Sequence, residues 1–291
     1  VSEFRSGFVS IIGKPNAGKS TLLNGILGEK LAIVSPKVQT TRQRIKGILT
    51  EENYQIIFSD TPGLLESQYK LQDFMKEEIK AVRKDTDVLL FLMDVNWDVD
   101  ENIELYKEYN NKKPVIFILN KCDAINDAKL QEKIAYIKEQ IEVDDVLLIS
   151  ALKNINIKGL IDRIVELLPE HPPYFSEDEI SDLPIRFFVS EIVREKVFEL
   201  TEKEVPYHTA VLIREYKVQP KITRILADIV VSRETQKGII IGKGGEKLKR
   251  IGTRARLDIE KFIDSKVYLE LHVKVRKDWR NNSLYLKEYG Y

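Results

Sequence analysis

The stretch Gly13-Lys14-Pro15-Asn16-Ala17-Gly18-Lys19-Ser20 constrains this chain more than any other. It follows an apolar run at 8–12 and precedes Thr21-Leu22-Leu23-Asn24-Gly25-Ile26-Leu27, which reads as a helix. G-x-x-x-x-G-K-[ST] between a strand and a helix predicts a loop whose N–H groups surround a phosphate at the helix N-terminus. Asn16, Ala17, Gly18, Lys19, Ser20 and Thr21 would line it, with Lys19 on the β- and γ-phosphates and Ser20 on Mg²⁺. A Gly-rich surface turn is the bland alternative, and the eight-residue match in this context outweighs it. The expected ligand is a nucleoside triphosphate.

The rest of the N-terminal half suits such a loop. Tyr54-Gln55-Ile56-Ile57-Phe58-Ser59 reads as a strand ending at Asp60, and buried strands follow at 87–95, 114–120 and 146–150. Helical patterns near 68–85, 100–110, 126–141 and 156–168 alternate with them. Continuous apolar strands separated by helices predict an α/β domain, its mostly parallel sheet covered by helices on both faces. The longest apolar runs have strand length, far short of the roughly 20 residues of a membrane span. Neither a basic n-region nor an apolar h-region opens the sequence, so the expected location is cytoplasmic. One cysteine, Cys122, excludes an internal disulfide, and the three histidines lack metal-ligand spacing.

Pro169, the pair Pro172-Pro173 and the acidic run Glu177-Asp178-Glu179 read as a linker. The expected domains are 1–168 and 184–291, joined by 169–183. The second is a smaller α+β domain: a helix at 184–200, strands near 208–218 and 224–234, a helix, a Gly turn at 242–245, a helix to about Asp264 and a strand at 266–276. Formal net charge is zero, with 46 basic and 46 acidic residues, but residues 239–280 carry 12 basic against 6 acidic. A neutral chain with a basic C-terminal stretch predicts a local polyanion site rather than a generally adhesive surface.

Two tetrapeptides narrow the ligand. Asn120-Lys121-Cys122-Asp123 ends a predicted buried strand, where open α/β sheets place ligands. The Asp123 carboxylate can accept from both N1–H and the 2-amino group of guanine, a pair that adenine does not offer. Asp60-Thr61-Pro62-Gly63 ends another strand: Asp60 fits a Mg²⁺ ligand, and the Gly63 N–H could reach the γ-phosphate.

In the C-terminal half, Gly242-Lys243-Gly244-Gly245 leads into a helix carrying Lys247, Arg250 and Arg254 on one side. Its G-x-x-G resembles the nucleotide-backbone clamp of a KH domain. Solvated lysines at a helix start are the bland reading. Arg276-Lys277-Asp278-Trp279-Arg280 combines basic residues with an aromatic, which suits either stacking on a base (Lys277, Trp279, Arg280) or a Trp closing a small core.

In this order the P-loop, Thr40-Thr41-Arg42, D-T-P-G, N-K-C-D and Ser150-Ala151-Leu152-Lys153 resemble the five motifs of translation-factor-like GTPases. Joined to the G-x-x-G module, they resemble the Era family along essentially the whole chain. The resemblance implies a P-loop GTPase domain followed by a type II KH domain. It implies that Ser150, Ala151 and Leu152 support the guanine and that Thr41 closes on Mg²⁺ and the γ-phosphate, with Thr40 the competing choice. Lys19, Thr41 and Gly63 would then form the catalytic set.

Ras-like enzymes carry a water-orienting Gln where this chain has Leu64, so slow intrinsic hydrolysis is expected. Asn16 resembles the Asn of potassium-activated relatives, which implies K⁺ beside the phosphates, although an Asn also suits a turn. The expected protein is a monomeric GTP/GDP switch with switch segments near 33–44 and 61–75, and the family implies that it binds small-subunit ribosomal RNA near the 3′ end during subunit assembly. The rival expectation is a membrane-recruited signalling GTPase whose basic domain contacts anionic lipid at the inner face of the cell membrane.

Overall fold

The computed structural model describes residues 4–35, 37, 40–63, 69–109, 113–143 and 145–291. Within the expected switch segments, residues 36, 38, 39 and 64–68, Leu64 among them, lie outside the described residues. The chain packs into two compact units: one from 1–32, 41–66 and 75–182, the other from 33–40, 67–74 and 183–291.

In the first unit the elements run β1 (Arg5–Ile12), α1 (Lys19–Leu27), β2 (Ile45–Glu51), β3 (Tyr54–Asp60), α2 (Lys70–Asp85, from Met75 onward), β4 (Val88–Asp94), α3 (Val99–Tyr109), β5 (Val115–Asn120), α4 (Asp127–Gln140), β6 (Asp145–Leu148) and α5 (Ile157–Leu167). The sheet order is β2-β3-β1-β4-β5-β6, parallel throughout except for antiparallel β2–β3. All seven residues of β4 and all six of β5 are buried, as expected of strands covered on both faces. On one face Phe91, Tyr106 and Phe117 meet edge-on or tilted, with ring centroids 5.1–6.0 Å apart. This sheet aligns the C-terminal ends of β1, β3, β4 and β5, which carry the chemistry.

Two features were not anticipated. β2 holds Lys46, Thr50 and Glu51 among its apolar residues, so it lacks the continuous run that marks the central strands. Residues 169–182 do not behave as a free spacer. The Gln55 side-chain oxygen accepts from Tyr174 N (2.7 Å) and Phe175 N (3.0 Å), and Ile48 N donates to Ile180 O (3.0 Å). The segment thereby covers the outer edge of β2, which would otherwise offer unpaired backbone groups.

The second unit runs α6 (Ile185–Leu200), β7 (Ala210–Val218), β8 (Thr223–Val231), α7 (Glu234–Ile241), α8 (Glu246–Phe262), β9 (Val267–Val275) and α9 (Ser283–Glu288). β8 pairs antiparallel with β7 and parallel with β9. Ile251, Ala255 and Ile259, spaced four apart, turn one stripe of α8 into the core formed with α6 and the sheet. The opposite face of α8 stays in solvent with its cations. Among the described residues no helix is long and apolar enough to cross a membrane.

Candidate functional site

β1 delivers the chain into the loop 13–18, and α1 begins at Lys19 with Gly18 as its N-cap residue. Gly18 is left-handed (φ 101°), and a Cβ there would strike the Asn120 side-chain amide, so only glycine fits. Lys19 is buried and donates to the carbonyls of Gly13 (3.0 Å) and Lys14 (2.9 Å). Burial pushes its ammonium down to about 8, against the opposing pull of Asp60. Thr21, half-buried, sits in the first turn of α1.

Asp60 ends β3 and is fully buried. Its Oδ2 accepts from Ser20 Oγ (2.7 Å) and Thr41 Oγ1 (3.2 Å), and these two hydroxyls lie 3.0 Å apart. Burial raises the carboxyl, while Lys19, Ser20 and Thr41 oppose that rise. Asp60 Oδ1 is buried with no hydrogen-bond partner among the described residues. A buried carboxylate with two hydroxyls on one oxygen and the other oxygen unsatisfied is an all-oxygen set that suits a hard divalent cation. Thr41, rather than Thr40, reaches this set; Thr40 lies in the second unit, where its carbonyl accepts from Arg194. Gly63 abuts Pro15 so closely that a Cβ would fall 2.8 Å from Pro15 Cγ.

Asn120, the last residue of β5, ties three motifs together. Its side chain donates to Ala17 O (2.8 Å) and accepts from Ala151 N (3.0 Å). Lys121 is left-handed (φ 63°), and its ammonium lies 3.2 Å from Asn16 O and 2.6 Å from an Asp94 oxygen. Asp123 is exposed and pairs with Lys153 at 2.8 Å; bonds from Lys153 and Ser150 hold its carboxyl below the usual range. Ser150 is buried, whereas Leu152 is 82% exposed beside the base motif. Residues 16–20, 41, 60, 63, 120–123 and 150–151, distant in sequence, thus share one end of one sheet. Asp94 was missed by motif reasoning. Its available signal was a carboxylate closing the all-apolar run Val88-Leu89-Leu90-Phe91-Leu92-Met93.

In the second unit Gly242, Gly244 and Gly245 have φ of 73°, 59° and 81°, a left-handed turn between α7 and α8 that side chains would resist. Lys243, Lys249, Arg250, Arg254 and Lys277 are exposed and Lys247 is half-buried. Arg254 is 3.5 Å from Glu199. A groove of about 400 Å³ runs from Gly245 over a floor of Leu248, Leu269 and Leu271, rimmed by Lys249 and Arg256. Such a groove can hold bases on its floor and phosphates at its rim.

Trp279 requires a correction. It is fully buried, donates from Nε1 to His208 O (2.9 Å) and lies against the rings of Tyr289 and Tyr291. A side chain with no exposed face cannot stack on a base. Arg280 lies over the Tyr69 ring, 4.2 Å from its centroid. We expect Trp279→Ala to lower unfolding stability by roughly 3–5 kcal/mol and to leave the RNA affinity of the folded protein within about twofold. A melting curve beside a binding isotherm checks this; lost RNA affinity at unchanged melting temperature would overturn the core assignment.

Comparison with known proteins agrees with both units. Residues 8–121 match the family described as 50S ribosome-binding GTPase, and residues 204–280 match the KH domain family. The chain is 45% identical over 294 aligned positions to GTPase Era of Staphylococcus epidermidis, covering 100% of this chain and 98% of that protein. GTPase Era of Staphylococcus haemolyticus matches equally, at 45% with the same coverage. The crystal structure of Era in complex with MgGDPNP and nucleotides 1506–1542 of 16S ribosomal RNA superimposes with a TM-score of 0.95, 44% identity and 99% coverage of each chain. A point variant of Aquifex aeolicus Era bound to GDP.AlF4- gives a TM-score of 0.95 at 42% identity, again over 99% of each chain.

Proposed function

Because the chain belongs to the Era family of GTPases, we propose that it holds GTP between the P-loop and Asn120-Lys121-Cys122-Asp123, hydrolyses it to GDP, and clamps 16S ribosomal RNA near its 3′ end in the groove beside Gly242–Gly245 during small-subunit assembly. The observation that carries this is the convergence of Lys19, Ser20, Thr41 and Asp60 at the loop that Asn120 ties to the base motif. The first unit's family description mentions the 50S subunit, whereas the RNA of the similar Era complex is 16S. That complex favours the small subunit. We place its action in the cytoplasm, as a monomer.

In hydrolysis a water oxygen bonds to the γ-phosphorus as the β–γ bridging bond breaks, leaving GDP and inorganic phosphate. Lys19 would neutralise charge on the β- and γ-oxygens, and the Gly63 N–H would donate to the γ-phosphate. Ser20, Thr41 and Asp60 would hold Mg²⁺, which when bound supplies further neutralisation of phosphate charge. Leu64, an aliphatic side chain in the usual Gln position, cannot polarise the attacking water, which supports a slow intrinsic rate. Asn16 is exposed and left-handed, a conformation that a turn-forming Asn also adopts, so the K⁺ beside the phosphates rests on the family resemblance. Turnover in K⁺ should then exceed turnover in Na⁺ at equal ionic strength, and equal rates would remove K⁺ from the mechanism.

Lys19 also predicts a pH dependence. Its ammonium is held near 8 without nucleotide, and polyphosphate would raise it. Binding therefore takes up a proton above that pH, and affinity falls by up to about tenfold per pH unit between the free and bound values. At lower pH the same group is charged in both states and contributes no slope. Asp60 acts at the other end of the range: burial raises its carboxyl, and Mg²⁺ binding would expel the proton, so affinity also falls as the pH drops through its raised range. Titration calorimetry at pH 8.5 in buffers of different ionisation enthalpy should register proton uptake.

The functional test is binding of a 16S 3′-end fragment with GDP and with GDPNP across a salt series. Tighter binding in the GDPNP state supports a nucleotide-gated RNA switch, in which the γ-phosphate orders the switch segments. Weak, equal binding would leave a GTPase whose partner is something else.

A further inference from the structure

Lys121 is held at both ends of its reach before any nucleotide arrives. β4 and β5 pair in parallel with Asp94 directly opposite Asn120, so the carboxylate lies beside the base motif by register alone. Val95 N donates to Asn120 O at 3.0 Å and locks that register at the strand ends. Asp94 is buried; its Oδ1 accepts from Asn96 N and from Asn96 Nδ2, both at 2.9 Å. Its Oδ2 lies 2.6 Å from the Lys121 ammonium, which also donates to Asn16 O at 3.2 Å. Burial alone would raise the Asp94 carboxyl, but Lys121 and Asn96 outweigh it and hold it low, so the carboxylate faces the Lys121 side chain ionised.

From this geometry we infer that Asp94 is a positioning residue for guanine-nucleotide binding, acting through Lys121 by fixing its side chain across the base site and against the P-loop carbonyl of Asn16. The inference rests on reading this end of the sheet as the nucleotide site. A free lysine samples many rotamers and must surrender them on binding. With Asp94 holding the ammonium, that loss has already occurred in the free protein, and the P-loop is tied to the base motif without ligand. Because Lys121 adjoins the base motif rather than the γ-phosphate, the effect falls equally on GDP and GTP.

In Asp94→Asn the amide can still accept from Asn96 but turns an N–H₂ toward the Lys121 ammonium, which is then released. The dissociation constants of fluorescent GDP and GTP analogues should both rise about ten- to thirtyfold, the size of one lysine's ordering cost. KM should rise with them while kcat at saturating GTP stays within about threefold, a split that general destabilisation would not produce. In a Lys121→Met background the same Asp94→Asn change should alter affinity less than about twofold. Asp94→Ser, which keeps an acceptor for Asn96 without the charge, is held to the same criteria should Asp94→Asn fail to fold. Unchanged affinity in the single variants overturns the inference, as does an undiminished loss in the Lys121→Met background. A parent protein that binds neither analogue overturns the site reading, and the inference with it.

Discussion

Asp123→Asn is expected to exchange guanine for xanthine, cutting GTP affinity by about 10³-fold or more while raising XTP affinity to a comparable degree. The reason is donor and acceptor matching. Guanine presents two donors, N1–H and the 2-amino group, to a carboxylate that only accepts. An Asn amide has one acceptor and one donor, so its N–H₂ would face the 2-amino group and leave polar groups unpaired. Xanthine carries a carbonyl in place of that amine and restores the pairing. Asp123 is exposed and its partner Lys153 more so, and exposed ion pairs of this kind contribute little to stability. The loss should therefore appear in binding and not in the melting curve. Competition of XTP and GTP against a fluorescent GDP analogue measures the exchange. Unaltered GTP preference would mean that the base is read elsewhere.

The second large effect concerns the other unit. Replacing Lys243 and Gly244 together by aspartate should weaken binding of a 16S 3′-end fragment by about 100-fold or more and flatten its salt dependence. One cation is removed and two anions are added at the turn where the phosphates would lie. A side chain at left-handed Gly244 carries some backbone strain, but space and residue type limit it. A Cβ at Gly244 meets nothing within 4 Å, and its φ of 59° and ψ of 16° lie in the left-handed region that aspartate enters more readily than most residues. The melting temperature should stay within a few degrees of the parent's, which separates a local charge effect from unfolding. If the double variant binds RNA as the parent does, the G-x-x-G turn is not the clamp, and the cations at Lys249 and Arg256 become the next to examine.

The proposed nucleotide site was legible because its chemistry is written in contiguous stretches. A loop that wraps a phosphate needs its glycines and lysine at set spacing, and the strand ends that supply Asp60 and Asn120 follow apolar runs that leave few alternative elements. The G-x-x-G turn was legible for the same reason, since three left-handed glycines in four residues are a local backbone requirement.

Other features depended on partners far away along the chain. Trp279 stands among basic residues that suit a nucleic-acid surface, yet His208 O, Tyr289 and Tyr291 enclose it. Residues 169–182 have the prolines and charges of a spacer, yet Gln55 and Ile48 hold them along a strand edge. Asp94 looked like the end of a strand until the β4–β5 register set it opposite Asn120. The sequence by itself determined the two folds and offered the loop and tetrapeptide on which the proposed nucleotide site rests, because backbone conformation and hydrogen-bond type select residues locally. Only the tertiary structure decided whether Thr41 or Thr40 meets Ser20 and Asp60, whether Trp279 faces solvent, and what Lys121 is bound to. Burial and pairing are properties of which distant groups arrive at the same place, and neither composition nor spacing records that.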